Sequence, residues 1–501
     1  MVTLNDYRDE RLKKLENIRE RGIDPYPAHT NRTNTIFEII DHFEDFDGKP
    51  ATLSGRITAI RSFGKLAFIK IRDFSGEIQI FMEKILAEDT TKNYFNIKML
   101  KLLDVGDFIE ATGKIGKSST GEISIFSNEV RLLTKTLRPL PGRDGFTNKE
   151  ERYRRRYVDL NVNLEVRDRL VRRSRFWQAT RDFMNDHGFI EINTPVLETT
   201  TGGADATPFS THMDALDQDF YLRISQELPL KRLLGGGFEK VYDIGPRFRN
   251  EGIDDEHLPE HIAFEAYAAY EDYQSGMDFY EEMMKYVAKE TWNTLEFRIG
   301  NFKVDLSEKW PRKKYADVIF NEFKIDVFHP DLNNLLNILQ NNGVKVDKIL
   351  EPDQETEQLL GPTVMTTARA LDHLWKLIRK KSAGPFWLIE EPLSLSPLAK
   401  KNPDNPLVTE RVHPVIGGTE AGNGYSELND PLDQLARFEE QQAMREAGDS
   451  EAQMLDEDFV EMLEYGMPPA FGWGNSERNF WLFEGVSGRE AVPFPIIKPR
   501  N

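Results

Sequence analysis

Hydrophobic residues recur with two different spacings along the chain, and the change of spacing divides it into regions. In residues 3–21 the apolar side chains Leu4, Tyr7, Leu12, Leu15 and Ile18 fall on one side of a helix, which predicts an amphipathic α-helix. A glycine follows directly, as is common where a helix ends. From about residue 51 to 135 short β-rich runs replace this pattern.

Five such runs lie at residues 51–60, 66–74, 77–83, 107–115 and 122–133, separated by Gly, Ser and Asp turns. Regularly spaced short strands with turn residues between them predict a small β-barrel. An oligonucleotide-binding barrel is one common form of such a fold. We therefore assign residues 1–136 to an N-terminal helix followed by a five-stranded barrel of this type.

The segment that follows the barrel is rich in Pro, Gly and charge, and it predicts a linker over residues 137–165. Residues 166–501 mix helices with β-runs that do not alternate as βαβ units. That arrangement favours an antiparallel sheet flanked by helices over a parallel sheet. A helix-rich stretch at about 313–385 separates two β-rich blocks and predicts an insertion. The expected fold class is α+β.

Composition narrows the function classes. The chain has 501 residues, of which 39% are hydrophobic, and it contains no cysteine. Its length predicts two or more domains, and the absence of cysteine excludes disulfides, thiol nucleophiles and zinc–thiolate sites. No apolar run is long enough to span a membrane, and the charged start lacks the apolar core of a signal peptide. These features predict a cytoplasmic enzyme with no membrane association.

The net charge of −19 argues against loose, non-specific binding of nucleic acid. A specific contact would have to use local basic segments, and two candidates are Arg152–Arg156 and Arg167–Arg175. Taken alone, each segment favours a solvated helix face with ion pairs four residues apart. The sequence contains no P-loop, no glycine-rich dinucleotide fingerprint and no metalloprotease motif. ATP would therefore need a different binding architecture.

Two β-runs, 241–251 and 262–270, predict a hairpin joined by a polar loop. Because side chains alternate across a strand, Arg249, Glu251, Glu265 and Tyr267 would gather on one side of it. Pro246 would remove a ladder donor, which predicts a bulge or a sheet edge there. The alternative is a solvated sheet face with cross-strand salt bridges.

A second polar cluster lies in the glycine-rich segment 416–430. Glu420 and Glu427 are seven residues apart, so a regular strand would place them on opposite faces, but a bulge at 422–424 could bring both inward. Two carboxylates beside an arginine suit Mg²⁺ that bridges phosphates. The alternative is a glycine-rich turn between edge strands.

In order and spacing, three segments resemble motifs 1, 2 and 3 of the class II aminoacyl-tRNA synthetases: residues 188–195, residues 248–270 and residues 468–499. Residues 202–245 and 417–441 resemble the lysyl-tRNA synthetases specifically, and so do 62–81 and 153–160. The resemblance runs nearly end to end and is weakest in the insertion. It implies ATP, L-lysine and tRNA(Lys) as partners, Mg²⁺ as cofactor and a homodimer built on motif 1.

The resemblance also implies roles for individual residues. Arg249 would bind the lysine carboxylate and the ATP α-phosphate, and Arg478 would clamp the γ-phosphate, so these two are the expected catalytic residues. The remaining residues implied at the ATP site are Glu251, His257, His261 and Glu420. Magnesium would be held by Glu420 and Glu427.

For lysine, the resemblance implies a pocket with a carboxylate at each end, which suits a substrate with two ammonium groups. Glu227, with the backbone at Gly203, would receive the α-ammonium, and Glu427 and Tyr267 would receive the ε-ammonium. The lysine site is completed by Arg249, Glu265, Asn423 and Tyr425. In the barrel, Phe68, Gln79 and Glu122 fall where the family reads the anticodon. For Phe68 the alternative is a barrel-core side chain.

Three departures from the family pattern bear on ATP binding. His261 stands where a phenylalanine usually stacks on adenine, and His413 stands where an acidic residue near the metal is usual. The motif 3 segment, residues 468–478, lacks the regular glycine spacing and carries the bulkier Phe471 and Trp473 with polar Asn475.

Two other functions stay open from the residues. An aspartyl or asparaginyl enzyme of the same class also carries an N-terminal barrel, but it would need a cation or an amide site where this chain has Glu227 and Glu427. A non-catalytic RNA-binding or regulatory relative is motivated by the altered motif 3. The retained charges at 249, 251, 420, 427 and 478 argue against it, because charges kept together in a site are costly.

Overall fold

A computed structural model describes residues 4–64, 66–83, 94–142, 145–204, 206–254, 257–344, 348–349, 364–365, 367–446 and 453–500. The chain divides into two compact units, residues 1–147 and 148–501. No helix in the described ranges is long and apolar enough to cross a membrane.

The first unit is a closed barrel. Its elements are the helices α1 (Leu4–Glu20), α2 (Ile36–Asp41) and α3 (Phe43–Phe46), the strands β1 (Pro50–Phe63), β2 (Leu66–Arg72), β3 (Glu77–Glu83), β4 (Tyr94–Phe95), β5 (Phe108–Lys117) and β6 (Ile123–Thr134), and the 3-10 helix Ile97–Leu102. The barrel strands follow the order β3-β2-β1-β5-β6, and β3 pairs with β6 to close the ring. The predicted five-stranded barrel is confirmed.

Strand β2 shows why this sequence closes into a barrel. Ala67, Ile69 and Ile71 are fully buried in the barrel core, whereas Phe68 and Lys70 point to the other face. This strict alternation is what a strand with one buried face requires. Phe68 is therefore not a core residue, and the barrel-core alternative does not hold.

The second unit is built around one large sheet. Its helices are α4 (Lys149–Arg154), α5 (Arg156–Val162), α6 (Leu164–Asp186), α7 (Glu227–Gly235), α8 (Tyr273–Trp292), α9 (Tyr315–Phe323), α10 (Leu332–Asn341), α11 (Thr367–Arg379), α12 (Pro431–Glu446), α13 (Glu457–Tyr465), α14 (Arg478–Glu484) and α15 (Gly488–Ala491). Its strands are β7 (Ile190–Glu191), β8 (Leu197–Glu198), β9 (Phe209–Met213), β10 (Gln218–Leu222), β11 (Lys240–Phe248), β12 (Glu260–Ala269), β13 (Glu296–Ile299), β14 (Phe302–Asp305), β15 (Arg312–Lys314), β16 (Lys348–Ile349), β17 (Val364–Met365), β18 (Phe386–Ile389), β19 (Arg411–Ile416), β20 (Thr419–Glu420), β21 (Asn423–Ser426) and β22 (Ala470–Ser476).

The large sheet follows the order β15-β18-β19-β21-β22-β12-β11-β7, with β20 paired to β19. Most neighbours are antiparallel, and the parallel pairs β15–β18 and β7–β11 lie at its two edges. Aromatic side chains of α6, α8 and α14 cover one face, where Phe176, Tyr280 and Phe480 belong to the same core as Phe264 and Trp473. The predicted antiparallel sheet flanked by helices is confirmed.

The segment 148–165 differs from the expected linker, because it folds as α4, α5 and the start of α6 within the second unit. Arg156 explains this. Its guanidinium is fully buried, bonds the Asp159 carboxylate at 2.7 Å and donates to the backbone oxygen of Arg489 at 2.9 Å. A buried charge with such partners fixes the segment to the body of the unit.

The two basic segments are likewise used internally. Arg152 bonds Asp159, and Arg172 and Arg173 bond Glu484 and Glu477. These contacts favour the ion-pair interpretation over a basic patch for nucleic acid.

The described part of the insertion, residues 313–385, contains α9, α10 and α11 and has its own apolar cluster. Tyr315, Leu335 and Trp375 are buried in it, together with Leu388 and Val415 of the large sheet. The insertion is thus packed onto the β18–β19 end of the sheet.

Candidate active site

A cavity of about 390 Å³ opens in the second unit, over strands β11, β12, β21 and β22. Its walls are mostly charged and polar. The lining residues predicted from the sequence are Gly203, Glu227, Arg249, Glu251, His257, His261, Glu265, Tyr267, Glu420, Asn423, Tyr425 and Arg478. Most of the predicted catalytic-domain residues therefore meet at one cavity, although their segments are far apart in the chain. Glu427 is the exception, because it does not line the cavity.

The hairpin that supplies one wall has a regular register from Lys240 opposite Ala268 to Phe248 opposite Glu260. Arg249 and Glu251 lie just beyond the end of β11. Pro246 pairs with Ile262 on one side, while β7 reaches only Val241 and Tyr242 on the other. The missing N–H of the proline therefore falls at a sheet edge, as expected, and no bulge is needed.

Glu265 is the centre of the buried end of the cavity. Its Oε1 accepts from the Ser225 hydroxyl at 2.6 Å and from Arg247 Nη2 at 2.5 Å, and its Oε2 accepts from the Tyr267 hydroxyl at 3.1 Å. Glu265 is 5% exposed. Several charge-assisted bonds to a buried carboxylate fix its position closely. Sequence reasoning left Arg247 and Ser225 out of the site.

A lysine of the protein itself, Lys231, was also missed. It is 0% exposed and lies on α7, one turn after Glu227, whose Oε1 it bonds at 2.5 Å. The same ammonium pairs with Glu427, and Tyr425 donates its hydroxyl to Glu227 at 2.5 Å. The i,i+4 spacing of Glu227 and Lys231 is visible in the sequence. The third partner is brought in only by the fold.

Burial and ion pairing together shift the pKa values of Glu227, Glu427 and Lys231. Burial raises the pKa of Glu227 and of Glu427, and the nearby Lys231 ammonium opposes the rise. Burial alone would lower the pKa of Lys231, but the two carboxylates raise it instead. Lys231 is therefore a permanent counter-ion at the back of the cavity.

Two glycines are required by close approach at this end. Gly203 has φ +81°, and a Cβ there would lie 2.7 Å from Glu227 Cβ. A Cβ at Gly472 would overlap Glu427 Oε1 and the Tyr267 ring. Either position excludes a larger side chain.

The altered motif 3 strand, β22, keeps its small residues on the cavity side. Gly472 pairs with Tyr267, and Gly474 pairs with Glu265. The bulky Phe471 and Trp473 alternate with these glycines and belong to the apolar core. The unusual spacing therefore keeps glycines opposite Tyr267 and Glu265, although Trp473 also lines part of the cavity.

The other end of the cavity is more open. Arg249 and Arg478 line it, and Arg478 begins α14 directly after β22. Glu251 and His257 are exposed, and His257 bonds the Asp254 carboxylate at 2.9 Å. Two arginines at an accessible rim suit a polyphosphate that must enter and leave.

His261 lies opposite Arg247 across the hairpin and lines the same end. Burial, with the nearby Arg247 and Arg249, lowers the pKa of His261 to about 3. The imidazole is therefore neutral at neutral pH. A neutral ring can stack on a base without adding charge to the site.

The two carboxylates expected to share magnesium have different partners. Glu427 is paired with Lys231, whereas Glu420 accepts from Trp375 Nε1 at 2.6 Å and lies 3.1 Å from Arg379 Nη1. In the described ranges, no group of three or more His, Asp or Glu residues is arranged to hold a metal ion. Of the two, Glu420 lines the cavity, so it is the carboxylate that would hold a magnesium ion bound with phosphates.

His413, at the unusual position, lies beside this carboxylate but is paired elsewhere. Its Nε2 is 2.9 Å from Glu391 Oε1, and Arg411 Nη1 is 3.3 Å from the other oxygen. Burial alone would raise the pKa of Glu391, but His413 and Arg411 bring it down to about 2. Glu391 is therefore an ionised carboxylate with two partners.

The predicted anticodon residues lie on the outer face of the barrel in the first unit. Phe68 and Phe81 have ring centroids 5.2 Å apart, and Phe81 and Phe126 are also 5.2 Å apart. Gln79 donates to Ser124 Oγ at 3.1 Å, and Glu122 lies 3.1 Å from Lys70. The structure thus brings Phe68, Gln79 and Glu122 onto the neighbouring strands β2 and β3 and the start of β6.

Comparison with known proteins defines the class. Residues 148–498 match the family of class II tRNA synthetases for D, K and N, and residues 51–133 match an OB-fold nucleic acid binding domain. The match spans the cavity and the barrel described above. Membership of this class makes the chain an ATP-dependent aminoacyl-tRNA ligase.

Full-length relatives narrow the class. A lysine–tRNA ligase of Fervidobacterium nodosum is 40% identical over 506 residues, which cover 99% of this chain and 95% of the relative. Those of Thermotoga maritima and Moorella thermoacetica are 38% and 39% identical, again over 99% of this chain and over 97% and 99% of theirs. The chain belongs to the family of the lysine–tRNA ligases.

Proposed function

We propose that this protein activates L-lysine with ATP to lysyl-adenylate, releases pyrophosphate and transfers lysine to the 3′ end of tRNA(Lys). The observation that carries the amino-acid specificity is the buried acidic end of the cavity. Glu227, Glu265 and Glu427 meet there with Lys231 and Arg247. Three carboxyl groups face two cations there, and an incoming ammonium would favour the ionised form of these carboxyl groups.

A charged pocket of this kind supports lysine over aspartate or asparagine. A substrate carboxylate would meet Glu265, and an amide would offer these carboxyl groups no positive charge. Rejection of uncharged analogues follows from the same cost, because a buried charge would lose its partner. Glu227 and the backbone at Gly203 are proposed for the α-ammonium, and Glu265 and Tyr267 for the ε-ammonium. Glu427 acts from behind Gly472 through its ion pair with Lys231.

At the open end, Arg249 would hold the lysine carboxylate against the α-phosphate and stabilise charge as the carboxylate oxygen attacks. Arg478 would bind the γ-phosphate, and Glu251 and His257 would contact ATP at the rim. His261 would stack on the base. When bound, Mg²⁺ supplies charge neutralisation to the phosphates, and Glu420 is the carboxylate that would hold it.

The barrel is proposed to bind the anticodon, with Phe68 as a stacking platform and Gln79 and Glu122 as base-edge contacts. Phe68→Ala should lower tRNA charging by roughly tenfold, since one base stack contributes about 1–3 kcal/mol, and should leave ATP–pyrophosphate exchange unchanged. The exposed Phe37→Ala in α2 is the matched control. An equal loss of both reactions would point to damage of the fold instead.

A homodimer built on residues 188–195 and a cytoplasmic location are part of the same proposal. Ile190 in this segment is 52% exposed, and Leu197 just beyond it is 42% exposed. Apolar side chains left open beside a short strand suit an interface between copies. Sedimentation of the purified protein tests the dimer.

The experiment that tests the function is ATP–pyrophosphate exchange with each of the twenty amino acids, in the presence of Mg²⁺ and without tRNA. Exchange with lysine alone is expected. Exchange with another amino acid would keep the class and overturn the pocket assignment. Absence of exchange in folded protein would overturn the proposed activity.

A further inference from the structure

The helical insertion reaches the nucleotide end of the cavity through two side chains of α11. Trp375 Nε1 donates to Glu420 Oε1 at 2.6 Å, and Arg379 Nη1 lies 3.1 Å from the same oxygen. The two residues are four apart on one helix and so share a face. Glu420 itself lines the cavity, whereas Trp375 and Arg379 lie behind it.

Packing holds this part of α11 rigidly. Trp375 is 2% exposed and belongs to the cluster that includes Leu388 and Val415 of the large sheet. An indole packed in this way presents its N–H in a single direction. The oxygen that accepts this bond is therefore fixed by the core of the insertion.

The backbone ties the end of α11 to the turn that carries Glu420. Gly417 N donates to Ala383 O at 2.6 Å, and a Cβ at Gly418, which has φ +76°, would meet the Phe302 ring and the backbone oxygens of Lys380 and Arg379. A Cβ at Gly418 would lie 3.4 Å from the Lys380 oxygen. The turn between β19 and β20 is therefore hydrogen-bonded to the segment that follows α11.

At this corner Glu420 has the Trp375 indole and the Arg379 guanidinium as partners. The other nearby carboxylate, Glu391, is paired with His413 and Arg411. Glu420 is therefore the carboxylate of this corner that lines the cavity.

We propose that Trp375 and Arg379 are positioning residues of the nucleotide site, and that the insertion acts through them on ATP bound with Mg²⁺. Both donors converge on Oε1, which fixes the plane of the carboxylate and leaves Oε2 outside these two bonds. A carboxylate helps a polyphosphate only through a cation, since by itself it repels phosphate. This inference rests on the proposed role of Glu420 at the ATP site.

The test is ATP binding by calorimetry, with and without Mg²⁺, in the full-length protein and in Trp375→Phe, which keeps the ring packing but removes the donor. The Kd for ATP with Mg²⁺ should rise about fivefold or more, since a bond to a charged group is lost. The Kd without Mg²⁺ and the KM for lysine should stay within about twofold, because neither depends on the cation that Glu420 would hold. Arg379→Met should change the Kd for ATP in the same way, and it is the second variant to use if Trp375→Phe folds poorly.

Lys376→Met is the matched control, because Lys376 lies on the same helix and pairs outward with Asp372. An equal loss with and without Mg²⁺ would mean general damage and overturn the proposal, as would unchanged binding. Wild-type exchange with lysine is measured separately. If wild-type protein binds ATP with Mg²⁺ but shows no lysine-dependent exchange, the proposed function fails while the positioning role is still decided by the binding data.

Discussion

The two ends of the cavity are built in opposite ways. At the amino-acid end, Glu227 and Glu265 are each 5% exposed, and both are paired with a cation of the protein. At the nucleotide end, Glu251 and His257 are exposed at the rim. The difference teaches that selection of the amino acid depends on a prearranged buried charge network, while the nucleotide end keeps access for a large, highly charged substrate.

Arg249 lies where the two ends meet, so its loss should have the largest effect. Arg249→Ala should reduce ATP–pyrophosphate exchange by roughly 10³-fold or more, because a donor aimed at developing charge is removed. Exchange kinetics measure this, with the exposed Arg298→Ala in β13 as control. Near-normal exchange would refute the role of Arg249 and, with it, the view that both ends serve one reaction.

Glu265→Gln separates the two ends. It should raise the KM for lysine roughly 100-fold, because the substrate ammonium loses a charge partner and Arg247 is left with an amide. The KM for ATP should change by less than about threefold. Exchange measured at varied lysine and varied ATP gives both values. Glu440→Gln, on the exposed side of α12, is the control. An equal rise in both KM values would contradict the view that the two ends of the cavity act separately.

Gly472→Ala tests how tightly the buried end is packed. The new methyl group would overlap Glu427 Oε1 and the Tyr267 ring, so the KM for lysine should rise roughly tenfold and unfolding should become easier by about 1–3 kcal/mol. Urea unfolding and exchange kinetics measure these. Gly142→Ala, where nothing lies within 4 Å, should be silent. A silent Gly472→Ala would mean that the buried end can relax.

His261→Phe probes the nucleotide end, and we expect the smallest effect on activity. Exchange at neutral pH should change less than about threefold, since a neutral imidazole and a phenyl ring both stack. The pKa of His261 is about 3 in the folded state and near its ordinary value of 6.5 when unfolded. The unfolded state therefore binds more protons between these values, and wild-type stability falls as the pH drops from about 6.5 towards 3.

The His261→Phe variant lacks this proton uptake, so its stability should fall less between about pH 7.5 and about pH 5, by about 1 kcal/mol per pH unit below about 6.5. Urea unfolding at the two pH values measures the difference. His42→Gln, at an exposed position, is the matched control. Equal acid sensitivity of wild type and His261→Phe would mean that His261 is not held neutral by its surroundings.

The barrel shows how much local pattern can predict. The runs at 66–74, 77–83, 107–115 and 122–133 agree with β2, β3, β5 and β6 to within two residues at each end. They succeed because a strand with one buried face alternates strictly, so the period is written in the sequence. For residues 148–165, by contrast, the sequence predicted a linker, and the structure has helices. These helices are fixed by Arg156, whose partners at Arg489 and Pro493 lie at the far end of the chain.

In the site, too, some features were predicted from the sequence and others were set by the fold. The family motifs pointed to Arg249, Glu265, Tyr267 and Arg478, and all four line the cavity. Glu427 was expected to hold magnesium with Glu420, but it lies behind Gly472 with Lys231 as its partner. The residues next to Glu427 in the sequence do not indicate that Lys231 of α7 is its partner. This ion pair could therefore not be predicted from the neighbouring sequence.

By itself the sequence determined the barrel strands, because strand alternation depends on neighbouring residues alone. Through its motifs it also indicated the chemical class of the site. Only the tertiary structure decided which charged and polar groups are paired. Lys231 pairs with two carboxylates, Arg247 pairs with Glu265, and Trp375 and Arg379 bond Glu420. The reason is physical, since the energy of an ion pair depends on distance and burial, and the fold sets both for residues far apart in the chain.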